Sequence, residues 1–416
     1  MGGRRWLPRA FSAVVLCGLL VLTGGAAATA GTRRPTVDPH APTPTAPYRG
    51  RPPQGSAPDG TAVGGPRLAT RGVVVTSGAP RLPAGIAAAG WVVADARTGA
   101  VLAARDPHGR YYPASTLKTL TLLTLQPLLD PRRVVLGTTD DENIEGSRVG
   151  LVQGGRYPVS LLFQALILQS GNDCANALAR AAGGVGVTVA AMNSTAVSIG
   201  AYDTVAGTPS GLDVAGQSSS PYDLALIFRA LLARPSAAAI LRTPTVMLPG
   251  VAGKNAGYQI QNQDPLLRTY PGNLGGKTGF TDAARHTFVT GAERNGRRLI
   301  VSIMDTERVP LTADQQAARL LDWGFSVPAG KPGVGTLVTP ADLAAHTAAA
   351  STAAPATTSP PRRDAVVPAS AAGPSSSFLL PGGLGAAAVL IVVATYLGRR
   401  RARRPARRRE VSGADR

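Results

Sequence analysis

Apolar and polar positions along this chain follow three different patterns. Residues 10–22 form a short continuous apolar run. Residues 378–397 form a longer one, uncharged throughout. Between residues 85 and 330 the apolar positions come instead in short blocks with recognisable periods. Blocks 90–94 and 100–104 flank Arg97-Thr98-Gly99 and predict a hairpin. Residues 115–125 carry apolar side chains at helical spacing, with Pro113 just ahead and Pro127 behind, and so predict a helix. Residues 161–169 and 175–182 read as helices broken at Ser170-Gly171-Asn172, and 222–232 as a further helix. Residues 286–292 and 298–305 read as strands around Asn295-Gly296, a strong hairpin turn, and 315–323 as a closing helix. Strands, then helices, then strands and a helix predict an α/β domain whose sheet joins both ends of the segment.

The two apolar runs have different flanks. Arg4, Arg5 and Arg9 precede the first, and Ala28-Thr29-Ala30 follows it, so residues 1–30 read as a secretory signal cleaved after Ala30. The second spans 20 residues, enough to cross about 30 Å of hydrocarbon. Eight arginines between Arg399 and Arg409 follow it, which places the tail 398–416 in the cytoplasm. Residues 31–84 are rich in proline and read as a disordered leader; residues 331–377, rich in Ala, Thr, Ser and Pro, read as a linker. The expected arrangement is a single-pass protein of the cell membrane, with domain 85–330 extracellular and 378–397 as the anchor.

Charge fits this division. The 416-residue chain has a formal net charge of +19, which invites a nucleic-acid partner. Residues 1–84 hold 10 Arg against 2 Asp, and residues 331–416 hold 12 Lys and Arg against 4 acids, whereas residues 85–330 are close to balance at 21 against 18. The basic excess lies outside the folded segment, so no nucleic-acid partner is expected. Of two cysteines, Cys17 leaves with the signal, and Cys174 alone can form no internal disulfide. No His-Glu-x-x-His pair or Gly-x-Ser-x-Gly elbow occurs, and Gly272–Thr278 misses the phosphate-loop glycine spacing by one residue. No metal or organic cofactor is implied.

Three short motifs carry the candidate chemistry: Ser115-Thr116-Leu117-Lys118, Ser170-Gly171-Asn172 and Lys277-Thr278-Gly279. A serine and a lysine three apart at a helix start share one face. The hydroxyl needs a base within reach, and burial beside a second cation such as Lys277 makes a lysine amine available as that base. Backbone N–H groups of Ser115 and Phe280 are candidates for an oxyanion hole. Ser170 could relay a proton to the leaving amine, and Asn172 could hold substrate backbone. Each motif alone is common; their order and spacing, 55 and then 107 residues, give the signal its specificity.

At this point the sequence resembles the D-alanyl-D-alanine carboxypeptidase family of low-molecular-mass penicillin-binding serine peptidases. The resemblance runs from about Ile86 to Trp323 and includes Gly90-Trp91-Val92-Val93-Ala94-Asp95, Pro113-Ala114-Ser115, Gly146-Ser147, Thr208-Pro209-Ser210-Gly211-Leu212-Asp213 and Gly276-Lys277-Thr278-Gly279-Phe280-Thr281. It implies a β-lactamase/transpeptidase-like α/β fold, an antiparallel sheet flanked by helices with a helical subdomain. It implies Ser115 as acyl-ester nucleophile and Lys118 as proton acceptor, with Ser170 and Asn172 completing the site. Lys277 and Thr278 would hold the terminal carboxylate of a peptidoglycan stem peptide, Gly279 and Phe280 would line that strand, and Arg308 would assist. β-Lactams would be covalent inhibitors. Arg285 departs from the family, which usually carries glycine there, and no β-rich second domain fits before the linker.

Within the enzyme class the alternatives are a serine β-lactamase and a DD-endopeptidase or transpeptidase; outside it, a noncatalytic cell-wall-binding protein. A class A β-lactamase needs a glutamate after the second motif, and none occurs between Glu145 and Glu293.

Overall fold

A computed structural model describes residues 54–345 of the chain. The signal segment, the leader before residue 54, the linker after residue 345, the candidate anchor 378–397 and the basic tail lie outside the described residues. Among the described residues no single helix is long and apolar enough to cross a membrane.

In chain order, β1 (Val73–Val75) precedes the hairpin β2 (Gly90–Asp95) and β3 (Ala100–Arg105). The Asp95 carboxylate shapes the hairpin turn by accepting the N–H groups of Arg97 and Thr98 at 3.0 Å. A largely helical region follows: α1 (Lys118–Leu125), β4 (Val134–Leu136), α2 (Thr139–Glu142), β5 (Arg156–Pro158), α3 (Val159–Leu168) and α4 (Asn172–Ala181). It continues through α5 (Val185–Ser198), α6 (Pro221–Leu232) and α7 (Pro235–Arg242). The chain returns by β6 (Thr245–Leu248), β7 (Tyr258–Gln261) and α8 (Leu266–Thr269). Three long strands follow, β8 (Asn273–Thr281), β9 (Arg285–Arg294) and β10 (Arg297–Thr306), then α9 (Ala313–Ser326) and β11 (Gly335–Thr336).

The main sheet is antiparallel, in the order β1-β3-β2-β10-β9-β8, with β11 also on β3. The expected union of both ends is the β2–β10 pairing, where Val93 faces Val301. Successive residues of each strand point to opposite faces. Trp91, Val93, Leu299, Val301 and Ile303 meet Leu320, Leu321 and Trp323 of α9 on one face. Val92, Ala94 and Ile300 meet Leu120 of α1 and Phe228 of α6 on the other. Both faces are covered, which is why the strands read as continuous apolar blocks rather than as strict alternation.

The structure corrects both domain boundaries. Residues 54–84 are no disordered leader: β1 pairs with β3, Leu68 is wholly buried, and Trp323 Nε1 donates to Pro80 O at 3.0 Å. Average composition hid Leu68 and the Val73–Val75 triplet, which suffice for an edge strand and one core contact. The linker likewise starts later than residue 331. Val334 and Leu337 are buried, Tyr222 donates its hydroxyl to Thr336 O at 2.7 Å, and Arg229 Nη1 donates to Leu337 O at 2.6 Å. Arg285 adopts φ 53°, the left-handed region that glycine favours, and its guanidinium pairs with Glu307 at 2.6 and 2.8 Å. β9 therefore starts at Arg285 itself, opposite Thr281.

Candidate active site

The first motif does not open directly as an α-helix. Residues Ala114–Leu117 form a 3-10 turn that feeds α1, and Ala114 is held at φ 48° just before Ser115. Such a conformation is costly for a residue with a Cβ and persists only where its surroundings enforce it. Here Thr287 of β9 donates its hydroxyl to Pro113 O at 2.9 Å and pins the turn against the sheet.

Lys118, one turn on, is completely buried. Its Nζ lies 2.9 Å from Ser115 Oγ, 2.7 Å from Asn172 Oδ1 and 2.7 Å from Ser210 O. An ammonium has three donors and all are used. A neutral amine keeps two N–H groups for Asn172 and Ser210 and turns its lone pair toward Ser115. Burial, reinforced by the charge of Lys277, holds the Lys118 amine well below its ordinary range, against the smaller opposing influence of Cys174 and Asp173.

Asn172 is the first residue of α4. Its Oδ1 accepts from Lys118, and its Nδ2 donates to Glu145 O at 2.6 Å, which fixes the amide's orientation. Its backbone N–H donates to Ser147 O at 2.8 Å. Asp173 secures the same loop: its carboxylate accepts the N–H groups of Val149 and Leu151 at 3.0 Å. Ser170 sits on the turn before α4 at φ 63°, and its buried hydroxyl has no hydrogen-bond partner. It is thus near in sequence to the Lys118–Asn172 pair but bonded to neither Lys118 nor Ser115.

The third motif lies on β8, at the edge of the main sheet. Lys277 is buried and donates to Thr278 O at 2.7 Å. Burial pulls its amine down to about 7, with Asp264 opposing that shift. Gly279 backs directly onto the 3-10 turn: a Cβ there would stand 2.9 Å from Ser115 N and 3.0 Å from Thr116 N. Phe280 follows, half exposed, its ring 4.6 Å from that of His286. Thr281 donates its hydroxyl to Asp213 Oδ1 at 2.9 Å, tying the end of β8 to the segment that supplies Ser210 O. Arg308 is exposed and lines a recess of about 640 Å³ with Thr278, Gly279 and His286. Burial and the charge of Arg308 hold the His286 imidazole below its ordinary range.

Sequence reasoning did not find the carbonyls of Glu145 and Ser210 or the carboxylate Asp264. Backbone acceptors leave no residue-type signal, although Ser210 falls in a stretch that carried the family resemblance. Among the described residues no three His, Cys, Asp or Glu side chains converge to hold a metal ion. The arrangement joins a partly exposed hydroxyl, a buried lysine amine and a second buried cation, and so can support acyl transfer through serine.

Comparison with known proteins gives a consistent assignment. The sequence model of the D-alanyl-D-alanine carboxypeptidase family matches residues 75–308, more than half of the chain. The D-alanyl-D-alanine carboxypeptidase DacB2 of Mycobacterium tuberculosis is 46% identical over 242 residues, covering 57% of this chain and 82% of that protein. DacD of Salmonella typhimurium is 34% identical over 260 residues, covering 59% of this chain and 64% of the enzyme, a little under two thirds of its length. A D-alanyl-D-alanine carboxypeptidase crystal structure from M. tuberculosis is 43% identical with a TM-score of 0.60, covering 63% of this chain and 99% of that one. The Streptomyces K15 DD-transpeptidase, 24% identical with a TM-score of 0.55, covers 60% of this chain and 99% of its own and shares the fold. Motifs, site geometry and matches agree: the chain belongs to the D-alanyl-D-alanine carboxypeptidase family.

Proposed function

We propose that the protein is a serine-type D-alanyl-D-alanine carboxypeptidase that removes the terminal D-alanine of peptidoglycan stem peptides through an acyl-enzyme on Ser115. The observation that carries this reading is the Lys118 amine, fully buried and 2.9 Å from Ser115 Oγ. In the first step Ser115 Oγ attacks the carbonyl carbon of the penultimate D-alanine, and its proton passes to Lys118. The Ser115 and Phe280 N–H groups take the developing oxyanion. The peptide C–N bond then breaks, and the leaving amine takes a proton returned from Lys118 through Ser170, whose unpartnered hydroxyl supports a relay role. Water next attacks the ester carbonyl with Lys118 as base, which frees the shortened peptide and restores Ser115. Asn172 holds Lys118 in place, and Lys277, Thr278 and Arg308 receive the terminal carboxylate, with Gly279 keeping β8 close to the nucleophile.

A β-lactam enters the same first step, but its ring keeps the leaving nitrogen attached. No glutamate between Glu145 and Glu293 is present to activate a deacylating water in the class A manner, so the adduct should be long-lived. The reading extends to topology. Export by residues 1–30 and anchoring by 378–397, with the tail in the cytoplasm, would put the site on the outer face, where stem peptides are found; the apolar runs and the arginine cluster support this. Product analysis on defined muropeptides, with and without an added amine acceptor, tests the reading. Free D-alanine with little acceptor-linked product is expected. Predominant acceptor-linked product would make the protein a transpeptidase, and no product at all would leave a binding protein.

A further inference from the structure

Asn172 takes its orientation from an irregular loop. Residues 143–155 form no helix or strand, yet two of their carbonyls fix Asn172: Glu145 O accepts its Nδ2 at 2.6 Å, and Ser147 O accepts its backbone N–H at 2.8 Å. Gly146, between them, backs onto the same amide, since a Cβ there would stand 2.7 Å from Asn172 Nδ2. Irregular surface segments are the most mobile parts of a domain, and a reacting group displaced by about 1 Å loses much of its rate. A loop given this task needs ties of its own. Asp173 supplies the inner ones, by accepting the N–H groups of Val149 and Leu151.

The outer ties come from the β6–β7 hairpin, which no motif includes. Tyr258, the first residue of β7, donates its hydroxyl to Val149 O. The same hydroxyl packs on Gly150, where a Cβ would stand 3.0 Å from it. Asn255 Nδ2 reaches Gly150 O at 3.5 Å, and Lys254 Nζ reaches Glu142 Oε1 at 3.2 Å, just ahead of the loop. The hairpin itself has a firm base. Leu248 and Ile260 are buried in the core that holds Leu166 and Leu168 of α3. Just past β7, the Asn262 N–H donates to Pro244 O at 2.8 Å, and the Gln263 N–H donates to Leu168 O at 2.9 Å. Tyr258 thus joins a fixed part of the core to the loop that aims Asn172, whose Oδ1 lies 2.7 Å from Lys118 Nζ.

We propose that Tyr258 is a positioning residue for acyl transfer: its hydroxyl clamps the loop that carries Glu145 and Ser147, and through that loop holds the Asn172 amide against Lys118. This rests on the carboxypeptidase reading, in which Lys118 is the base for Ser115 and Asn172 holds it in place. The Tyr258 hydroxyl bonds to Val149 O and not to Ser115, Lys118 or Asn172, so the loop is its route to the base.

Tyr258→Phe keeps the ring and removes only the hydroxyl. Acylation of Ser115 by a penicillin is timed in the full-length chain for the wild type, Tyr258→Phe, Asn172→Ala and the double variant. The rate constant is expected to fall roughly 3- to 10-fold on Tyr258→Phe alone, the effect of one lost hydrogen bond. In the Asn172→Ala background the fall should be less than about twofold, because the loop then has no amide to aim. Equal losses in both backgrounds, or no loss in the wild-type background, would overturn the proposal. If Asn172→Ala does not fold or acylates too slowly to time, backbone amide exchange decides. In Tyr258→Phe the Asn172 N–H, held by Ser147 O, should exchange at least about threefold faster, while Leu178 and Ala179 farther along α4 keep the wild-type rate. Unchanged exchange at Asn172, or the same acceleration along the whole helix, would overturn it, since a purely structural loss loosens α4 throughout. A wild-type chain that penicillin does not acylate would refute the carboxypeptidase reading instead, and the amide-exchange comparison would still decide the clamp.

Discussion

Gly279 of β8 and Ser115 of the 3-10 turn touch through their backbones: a Cβ at residue 279 would stand 2.9 Å from Ser115 N and 2.4 Å from Thr287 Oγ1. Sheet edge and candidate nucleophile are therefore one construction, and the third motif needs its glycine for packing as well as for chemistry. Gly279→Ala should push β8 away from the turn. Acylation by a β-lactam should slow by roughly 10²-fold, as expected when a reacting group is displaced by about 1 Å, with a stability loss of about 1–3 kcal/mol from overpacking. Stopped-flow acylation and thermal unfolding check both; unaltered acylation would mean that the turn tolerates the displacement.

Lys118→Arg keeps a positive charge but removes an amine that can release its proton. If Lys118 is the base, acylation should fall by roughly 10²–10⁴-fold. The rate of covalent labelling of Ser115 measures this directly. A fall of less than about threefold would assign the base elsewhere.

Asn172→Ala leaves a Lys118 N–H and the Glu145 carbonyl without their partner. An unsatisfied buried polar group costs about 1–3 kcal/mol, so unfolding should shift to lower denaturant along with a loss of activity. Asn172→Asp is expected to behave differently: a carboxylate beside Lys118 favours its protonated form, so activity at neutral pH should drop and recover partly in alkaline solution. A pH profile for the Asp variant that parallels the wild type would contradict the role given to Asn172.

The raised Asp264 carboxyl has a consequence for stability. Its folded value, about 7, lies above the ordinary 3.8, so the folded chain holds a proton that the unfolded chain releases. The associated stability is present below the ordinary value and is lost as pH rises from about 4 through 7. Asp264→Asn should therefore lose less stability than the wild type between pH 4.5 and 7.5. Urea midpoints at the two pH values provide the measurement; identical slopes would show that the carboxyl does not titrate in that window.

The corrected boundaries can be tested by truncation. A chain starting at residue 77 loses Leu68 and β1, and should melt several degrees below one starting at residue 54, since burial of one leucine alone contributes about 1.5–3 kcal/mol. Equal melting temperatures would restore the boundary at residue 85.

Much of this fold was legible from the sequence. The hairpin around Thr98-Gly99, the strands about Asn295-Gly296 and the helix after Ser220-Pro221 follow rules that local residues obey; Ser220 Oγ indeed accepts the Asp223 N–H at 3.1 Å as an N-cap. α5 escaped because Val185–Ser198 is rich in valine, threonine and serine, poor helix formers, and is held by burial of Thr188, Met192 and Ala196 along one face. β1 and β11 escaped because an edge strand needs only a few residues and a neighbour that the sequence does not reveal. In the site, side chains within motifs were legible and their partners were not: Ser210 O and Glu145 O reach the motif residues only through tertiary structure. Arg285 was noted as a departure from glycine, and the structure shows the glycine-like backbone it retains.

The most direct test of the central claim is peptide-resolved mass spectrometry of the full-length chain after brief exposure to a penicillin, for the wild type, Ser115→Ala and Lys118→Arg. Ser115 as nucleophile with Lys118 as its base requires a stable adduct on the Ser115 peptide of the wild type, none in Ser115→Ala and only slow accumulation in Lys118→Arg. An adduct on another residue, or no adduct on folded wild-type protein, would contradict it.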